Sequence, residues 1–544
     1  MVFLWFTVLV LCTINSAYGQ VVQTTYGPII GTIKSTISEG KPYYAYQGIP
    51  YAKPPLGELR FAAPVPPETW LLPKLTMVDK GRCIQLNVPT GTEDCLYLNV
   101  YSPSTNSSAK LPVMVWIYGG FFLWGDSQYN DAGPDFFLDQ DVVFVDFNYR
   151  LGVLGFLSTD DEVAPGNWAL KDQIMALKWV QENIERFGGD KDSITVFGQS
   201  AGAGATSYLS LIPETKGLFH KVILQSGSAL NMWALARQPR RAAFGMGKAF
   251  GIETNDSATL IAGLRNISGL QLTVVGLSQT FAEAIESDPL GGLVFGPSIE
   301  PSIDGALVTF RSYEKMANGD FHKLPFMMGF TSQEGGQTIQ VINWIKAYLT
   351  TFDTNPLKLI PNSMNLNDTL METEVALLIR THYFGVLPVI FLDKEFIQFM
   401  GDDQFVRAVH QAAKLMSQYT DVYLYRFSYQ GDVYSDRSNT DVYHAEELNY
   451  LFEITNNPQL TSENDLAKRH QLVKMWTNFA KYSNPTPNVD PELDSIIWEK
   501  MSYNQDKYLD IGKELKMSSD LSLYNIDFWE TLYKVYGKSP FDTY

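Results

Sequence analysis

The segment 198–202 has the pattern Gly-x-Ser-x-Gly, which gives Ser200 the spacing of a serine nucleophile. The mostly apolar residues 194–197 predict a buried strand before it, and the Ala- and Leu-rich residues after it are compatible with a helix. Glycine at both ends lets strand and helix approach closely, so Ser200 would lie on a tight turn with its hydroxyl exposed. The bare pattern is equally compatible with an ordinary glycine-rich turn, and the strand–turn–helix context favours the nucleophile.

A serine hydroxyl needs a base within hydrogen-bond reach, and the base needs an acid that orients it. Of the six histidines, only His444 lies in a loop after a clear strand; the others precede strands or fit structural roles. Glu334 follows an apolar strand and precedes two turn glycines, although such a residue taken alone is more often a solvated loop charge. In α/β proteins whose nucleophilic serine lies on such a strand-to-helix turn, the catalytic residues follow the chain order serine, acid, histidine. We therefore predict Ser200, Glu334 and His444 as a catalytic triad.

Two glycines and one alanine are candidates for an oxyanion hole, the set of N–H groups that stabilises a developing negative oxygen. Gly119 and Gly120 follow the continuous apolar run 113–118, which has the pattern of a strand buried on both faces. Ala201 directly follows the nucleophile, at the start of the predicted helix, where free N–H groups favour negative charge. We predict that these three backbones donate to the substrate oxygen.

Strands and helices alternate along the chain, which predicts the α/β class with a large, mostly parallel central sheet covered by helices on both faces. Residues 335–415 are apolar but irregular, and we expect them to form helices that cap the site. In such sheets, sites form beyond the carboxyl ends of the strands. The predicted strands are 113–118, 142–147, 221–225, 325–330 and 421–427, and the predicted helices are 169–186 and 465–482, the second with Leu466, Leu472, Val473, Trp476 and Phe479 inward.

Composition limits the function classes that the chain can serve. It has 544 residues and a net charge of −18, without a basic cluster, linker or repeat. Such a charge disfavours nucleic acid and anionic lipid surfaces as partners. We expect one large domain over residues 20–544, with no metal and no cofactor.

The N-terminus resembles a secretory signal peptide over residues 1–19. Residues 2–14 are an apolar run that is short for a membrane span, and Ala17 and Gly19 are the small residues a signal peptidase reads. An uncleaved anchor is the competing interpretation, because no Lys or Arg precedes the run. The C-terminus has no hydrophobic tail or retention signal. We therefore expect a secreted protein without a stable membrane anchor.

Two further features fit an extracellular chain. Cys83 and Cys95 remain after removal of the signal, and we expect them to bond to each other, because a metal site would need more ligands nearby. Glycosylation sequons, in which Asn is followed by any residue but Pro and then by Ser or Thr, begin at Asn106, Asn255, Asn266 and Asn367.

Several segments resemble the type-B carboxylesterases, the α/β-hydrolases related to cholinesterases. The serine signature matches residues 187–202 and a second signature matches residues 93–100, with further likeness at 148–152 and at Asp172-Gln173. The resemblance implies an α/β-hydrolase fold, a triad of Ser200, Glu334 and His444, oxyanion donors at Gly119, Gly120 and Ala201, a Cys83–Cys95 disulfide and an ion pair between Arg150 and Asp172. It also implies hydrolysis of small hydrophobic esters through an acyl-enzyme.

Departures from the family pattern bear on the substrate pocket. The segment 84–94 contains no aromatic residue, so the cation–π site of cholinesterases is absent and choline esters are not expected as preferred substrates. Phe121 replaces the small residue of most relatives, and we expect its ring to narrow the pocket or to strain the loop. Gln199 replaces the glutamate that many relatives have before the serine. Trp233 is a candidate pocket residue, although a packed core position is the more common role of such a tryptophan.

Within the family the chain is similar to insect esterases, including juvenile hormone esterases, through the segment Gly-Gln-Ser-Ala-Gly and Arg60-Phe61. Asp441 stands where those enzymes usually have Gly, so this narrower assignment stays open. A catalytically inactive, neuroligin-like adhesion protein is the alternative, but such members usually lose a triad residue or carry a transmembrane tail. A lipase is a third alternative, since the sequence does not set chain-length preference.

Overall fold

A computed structural model describes residues 20–85, 91–286, 290–338, 349–435, 437 and 441–544. The predicted signal peptide, residues 1–19, lies outside the described residues. The described strands are β1 (Val21–Gln23), β2 (Pro28–Ile30), β3 (Thr32–Ser35), β4 (Pro42–Pro50), β5 (Lys74–Leu75), β6 (Tyr97–Ser102), β7 (Leu111–Ile117), β8 (Val143–Phe147), β9 (Gly189–Gln199), β10 (Lys221–Gln225), β11 (Phe326–Thr331), β12 (Val422–Phe427), β13 (Tyr508–Ile511) and β14 (Leu515–Ser518).

The described α-helices vary from single turns to a helix of 20 residues. They are α1 (Tyr129–Ala132), α2 (Asp135–Leu138), α3 (Gly152–Phe156), α4 (Trp168–Asn183), α5 (Ala201–Leu211), α6 (Pro239–Ala249), α7 (Ser257–Arg265), α8 (Gly269–Glu286), α9 (Ser312–Ala317), α10 (Thr369–Phe384), α11 (Asp393–Gly401), α12 (Arg407–Met416), α13 (Leu448–Leu451), α14 (Glu463–Tyr482) and α15 (Ile526–Tyr536).

Eleven of the described strands form one mixed sheet, in the order β14-β13-β12-β11-β10-β9-β7-β8-β6-β4-β3. The strands from β8 to β13 in this order pair in parallel, and the strands at both ends pair antiparallel. The parallel strands are buried on both faces, as their continuous apolar runs predict. The predicted α/β class with a mostly parallel sheet is confirmed.

The parallel register brings four chain segments to one edge of the sheet. Strands β7, β9, β10 and β11 are neighbours or near neighbours, and their carboxyl ends lie at Ile117, Gln199, Gln225 and Thr331. The segments with Gly119, Ser200 and Glu334 follow three of these ends directly. The fold therefore collects residues far apart in the sequence where the sequence predicted a site.

Helices cover the sheet much as the apolar periodicity predicts. The predicted helix 169–186 corresponds to α4 and the 3₁₀ turn after it, and the predicted helix 465–482 corresponds to α14. Four of the five residues expected to face inward in α14 are buried, but Leu466 is 43% exposed. Leu466 lies in the first turn of the helix, where the chain has just left the surface. The part of 335–415 that the structure describes contains helices α10, α11 and α12, in agreement with the expected helical cap.

A buried ion pair joins the loop after β8 to helix α4. Arg150 and Asp172 form two parallel hydrogen bonds, Nη2 to Oδ1 at 2.7 Å and Nε to Oδ2 at 2.8 Å, and both side chains are buried. Such a bidentate pair fixes orientation as well as charge, because the guanidinium plane matches the carboxylate. The pair that the family resemblance implied is present.

One stretch, 369–391, is long and apolar enough by composition to resemble a membrane span. The continuous helix α10 ends at Phe384, and Gly385 follows with a φ of 58°. Its 16 residues rise by about 24 Å, which is shorter than the roughly 30 Å of a bilayer's hydrocarbon core. One face of α10, with Val375 and Ile379, is packed on the protein.

Candidate active site

Ser200 lies between β9 and α5 with a strained backbone, at φ 56° and ψ −123°. A non-glycine residue with positive φ is uncommon and costs free energy, so the surroundings must hold it there. Its N–H donates to the carbonyl of Gln225 at 2.7 Å, and its carbonyl accepts from the N–H of Gly204 at 2.9 Å. The turn is therefore fixed from the neighbouring strand on one side and from the helix on the other.

The two glycines of the motif are required by close backbone contacts. A Cβ atom added at Gly202 would lie 2.0 Å from the carbonyl oxygen of Ile117 in β7, and one at Gly198 would lie 2.6 Å from the backbone of Gly202. Contacts this short are not possible for real Cβ atoms, so larger residues would push the helix away from the sheet. The prediction that the glycines allow a close strand–helix approach agrees with this geometry.

Glu334 and His444 form a short, buried hydrogen bond. The distance from His444 Nδ1 to Glu334 Oε2 is 2.5 Å, and the two side chains are 6% and 0% exposed. The other carboxylate oxygen, Oε1, accepts from the N–H of Thr331 at 2.8 Å. The carboxylate is thus held by its own strand end and orients the imidazole with Nε2 directed away from it.

The loops that carry the acid and the base are joined by backbone contacts. The N–H of Gln333 donates to the carbonyl of Val442 at 2.9 Å, and Gln333 and Tyr443 form an isolated β-bridge. Gly335 and Gly336 leave no room for side chains, because a Cβ atom at either position would lie 1.9 to 2.0 Å from Ile397 or from the Tyr443 ring. The two turn glycines after Glu334 therefore let the acid loop pack against its neighbours.

The second ring nitrogen of His444, Nε2, contacts the side chain of Gln199, the residue before Ser200. The distance between Gln199 Nε2 and His444 Nε2 is 3.0 Å, so the amide donates to the imidazole when the proton of the ring is on Nδ1, facing Glu334. Among the described residues, the Ser200 hydroxyl makes no hydrogen bond with His444. The structure brings the three predicted residues to one place, with Gln199 in contact with the nitrogen that would serve Ser200 as a base.

Of the predicted oxyanion donors, Gly119 lies against the Ser200 side chain. A Cβ atom added at Gly119 would lie 3.0 Å from Ser200 Cβ and 2.6 Å from the carbonyl oxygen of Gln199, so the backbone of Gly119 lies against the nucleophile. Ala201 begins helix α5. In the part of the chain that the structure describes, the N–H groups of Gly119, Gly120 and Ala201 donate to no carbonyl of the surrounding turns and caps. Their role as oxyanion donors stays a prediction.

The loop after Gly120 contains two consecutive strained phenylalanines. Phe121 and Phe122 have φ of 55° and 58°, in the left-handed region that favours glycine. The ring of Phe121 lies 5.7 Å from the Trp124 ring and 6.5 Å from the Trp233 ring, by their centroids. The positive φ agrees with the expected strain of the loop, and the expected narrowing of the pocket by the Phe121 ring stays a prediction.

Trp233 and Phe405 extend this wall to the base. Trp233 is buried, donates from Nε1 to the carbonyl of Gln404 at 2.8 Å, and lies 5.9 Å from the Phe405 ring. The Phe405 ring lies 4.6 Å from the His444 ring. Phe405 belongs to a π-helical turn, Asp402–Val406, a distortion common at functional sites. Sequence reasoning missed Phe405, because a π turn has no simple periodicity and residues 335–415 were irregular.

The other five histidines contact groups outside this site. His410 pairs with Asp506, and the remaining four histidines lie at or near the surface. His220 accepts from the N–H of Ile194, and His322 contacts Thr215 and the Ile212 carbonyl. His382 contacts Asn525 and the Phe528 ring, and His470 pairs with Glu492. Among the described residues, no group of three or more His, Cys, Asp or Glu side chains could hold a metal ion.

The remaining predicted residues lie away from the nucleophile. Cys83 and Cys95 form a disulfide with a Cα–Cα distance of 5.0 Å, next to the partly buried ion pair between Arg60 and Glu93. The residues that begin the four sequons, Asn106, Asn255, Asn266 and Asn367, are all exposed. Exposure is necessary for glycosylation, which stays a prediction.

Comparison with known proteins gives one consistent family. The Carboxylesterase family matches residues 19–529 of the chain. Juvenile hormone esterase of Tribolium castaneum is 36% identical over 522 residues, covering 88% of this chain and 86% of that protein. Carboxylesterase 1C of Mus musculus is 32% identical, with coverage of 97% and 95%, and a carboxylic ester hydrolase of Bombus ignitus is 32% identical, with 94% of each chain covered.

Two solved structures have the same fold over nearly the whole chain. The crystal structure of juvenile hormone esterase from Manduca sexta, with OTFP covalently attached, has a TM-score of 0.84 and 27% identity. PNB esterase has a TM-score of 0.75 and 28% identity. In both comparisons 94% of this chain and 99% of the other chain are covered.

Proposed function

Since this chain belongs to the carboxylesterase family and is a carboxylic ester hydrolase, we propose that it cleaves its ester through an acyl-enzyme on Ser200. His444 is the general base and acid, and Glu334 orients it. The proposal rests on two contacts that the imidazole of His444 makes. His444 binds Glu334 through Nδ1 and, through Nε2, the residue next to Ser200.

The first half of the reaction transfers the acyl group to the enzyme. The Gln199 amide turns away from His444, and Nε2 accepts the proton of the Ser200 hydroxyl as Oγ bonds to the ester carbonyl carbon. Glu334 stabilises the imidazolium that forms. His444 then gives this proton to the leaving alkoxide as the carbon–oxygen bond breaks. The products are an alcohol and an acyl-Ser200 ester.

The second half returns the enzyme to its starting state. His444 accepts a proton from water, whose oxygen adds to the acyl carbon, and then protonates Ser200 Oγ as the acid leaves. In both halves the carbonyl oxygen carries negative charge, and the N–H groups of Gly119, Gly120 and Ala201 are suited to stabilise it. Removal of one such donor in other enzymes costs about 10² to 10³ in rate.

The walls of the site favour small hydrophobic esters. The rings of Phe121, Trp233 and Phe405 form a continuous aromatic series from the loop after β7 to His444. Ser200 is only 5% exposed, so water has little access and the substrate must enter a narrow space. Juvenile hormone, the substrate named for two relatives, is one candidate of this class.

An extracellular location best fits the features of the chain. The Cys83–Cys95 disulfide and four exposed sequons are typical of oxidising, extracellular compartments. Together with the predicted signal peptide, they support secretion of the chain after cleavage before Gln20.

Replacement of Ser200 by Ala tests the nucleophile. We expect kcat against a p-nitrophenyl ester to fall by at least about 10⁴-fold, because without the serine hydroxyl only substrate binding and the oxyanion donors still accelerate the reaction. Ser210→Ala, a buried serine on the next helix, α5, is the matched control and should keep its activity. Retention of most activity by Ser200→Ala would exclude the acyl-enzyme proposed here.

Replacement of Phe121 by Gly tests the pocket wall. Glycine adopts the positive φ of this position without strain, so the variant should fold. We expect kcat/KM for branched or bulky acyl groups to rise by about tenfold relative to acetyl, because the ring no longer limits the space. A series of p-nitrophenyl esters measures this ratio, and an unchanged series would show that Phe121 does not limit acyl size.

Replacement of Gln199 by Glu tests the charge beside the base. A carboxylate at this position favours the imidazolium form of His444, which cannot accept a proton from Ser200. We therefore expect the acidic limb of the kcat/KM profile to move upward by roughly one pH unit. Gln199→Met, which removes the amide without adding charge, should keep the parental limb. Coincident profiles for Gln199→Glu and the parent enzyme would contradict this account of the site's electrostatics.

A further inference from the structure

A buried pair of polar side chains, Gln225 and Glu447, lies behind the site and has no part in the steps above. Gln225 is the last residue of β10 and is fully buried; Glu447 follows His444 by three residues and is 1% exposed. Gln225 Nε2 donates to Glu447 Oε1 at 3.0 Å. This hydrogen bond connects the segment of the base to the end of a central strand.

Gln225 is also in contact with the nucleophile through its backbone. Its carbonyl accepts from the N–H of Ser200 at 2.7 Å. Its side-chain Oε1 accepts from the indole Nε1 of Trp476 at 3.1 Å, so the amide nitrogen is left to face Glu447. One residue therefore binds the backbone of the nucleophile directly and the segment of the base through Glu447.

The carboxyl of Glu447 combines burial, a raised pKa and an oxygen without a hydrogen bond in the described part of the chain. Burial and, to a smaller extent, the negative charge of Glu334 raise its pKa to about 7, against the opposing effect of His444. Burial and the negative charge of Glu447 likewise raise the pKa of the Tyr425 phenol. Glu447 Oε2 has no hydrogen-bond partner in the described part of the chain. A buried carboxyl with one unpaired oxygen costs stability that an apolar side chain would not.

We propose that Gln225 and Glu447 are positioning residues, whose hydrogen bond sets the distance between the Ser200 hydroxyl and the His444 imidazole. The inference rests on the proposed function, because it assigns the pair to the same reaction. Neither side chain is placed to touch the ester, so the pair acts through the backbone of Ser200 and the segment 444–447. A misplaced base slows proton transfer but leaves ester binding intact, so the effect belongs in kcat.

Four single variants separate the hydrogen bond from the charge. Glu447→Leu and Gln225→Leu each break the bond from one side. Glu447→Gln keeps an oxygen that can accept from Gln225 and removes the ionisable group. Glu446→Gln is the matched control, because this adjacent glutamate pairs with Arg437 at 2.5 Å instead.

Steady-state kinetics give the first readout. Each leucine variant should lose about 30-fold or more in kcat with KM changed by less than about threefold, since displacement by 1 Å can cost about 10² in rate. Glu447→Gln and Glu446→Gln should stay within about threefold of the parent in kcat. Parental kcat in either leucine variant overturns the proposal. So does a loss above about tenfold in Glu447→Gln, which keeps the bond and the fold even if a leucine variant does not fold.

Thermal unfolding gives a second readout that needs no substrate. If the two residues act through one hydrogen bond, the shift in unfolding temperature of the double variant Gln225→Leu/Glu447→Leu should differ clearly from the sum of the two single shifts. Additive losses would show that the residues are independent and would overturn the proposal. A parent enzyme without ester hydrolysis would instead contradict the proposed function and leave this coupling result unaffected.

Discussion

The contact between Gly202 and the carbonyl oxygen of Ile117 is the constraint on which the site depends. A single methyl group at Gly202 would overlap this oxygen, so helix α5 can start against β7 only because the residue has no side chain. This approach forces Ser200 into its positive φ and places it beside Gly119, at the end of β7. One backbone contact thus positions Ser200 beside Gly119, while the strain at Ser200 is balanced by hydrogen bonds to Gln225 and Gly204.

Negative charge is kept low around the imidazole. Glu334 is the carboxylate bound to His444, whereas position 199 has a neutral amide and Glu447 has a pKa raised to about 7 by burial and by Glu334. Each additional full charge would favour the imidazolium and remove the base. In the mechanism that we propose, one carboxylate, that of Glu334, orients His444 and stabilises the imidazolium that forms during the reaction.

The main elements could be predicted from the sequence because their signals are local. Apolar runs of the central strands, the period of α4 and the spacing around Ser200 each reflect short-range sterics or burial. The assignment of Glu334 and His444 followed from chain order and strand ends, and it stays a prediction that the geometry supports. The error at Leu466 arose because periodicity cannot tell where a helix leaves the surface.

Other features of the site could not be predicted because they depend on tertiary packing. The ring of Phe405 contacts His444 from a π-helical turn. Gln225 and Glu447 are hydrogen-bonded although they are 222 positions apart in the sequence. One signal for Gln225 was present, a polar residue that ends a buried strand at the carboxyl edge. The contact between Gln199 and His444 depends on side-chain rotation, which no pattern of residue types specifies.

In the mechanism that we propose, Ser200, His444 and the three oxyanion donors act on one carbonyl group. A crystal structure of the enzyme after reaction with an alkyl fluorophosphonate tests it most directly. We expect phosphorus bonded to Ser200 Oγ, one phosphonyl oxygen within hydrogen-bond distance of the N–H groups of Gly119, Gly120 and Ala201, and His444 Nε2 turned from Gln199 toward the adduct. Phosphorus on another residue, or an adduct whose oxygens and His444 lie beyond hydrogen-bond reach of these groups, would contradict it.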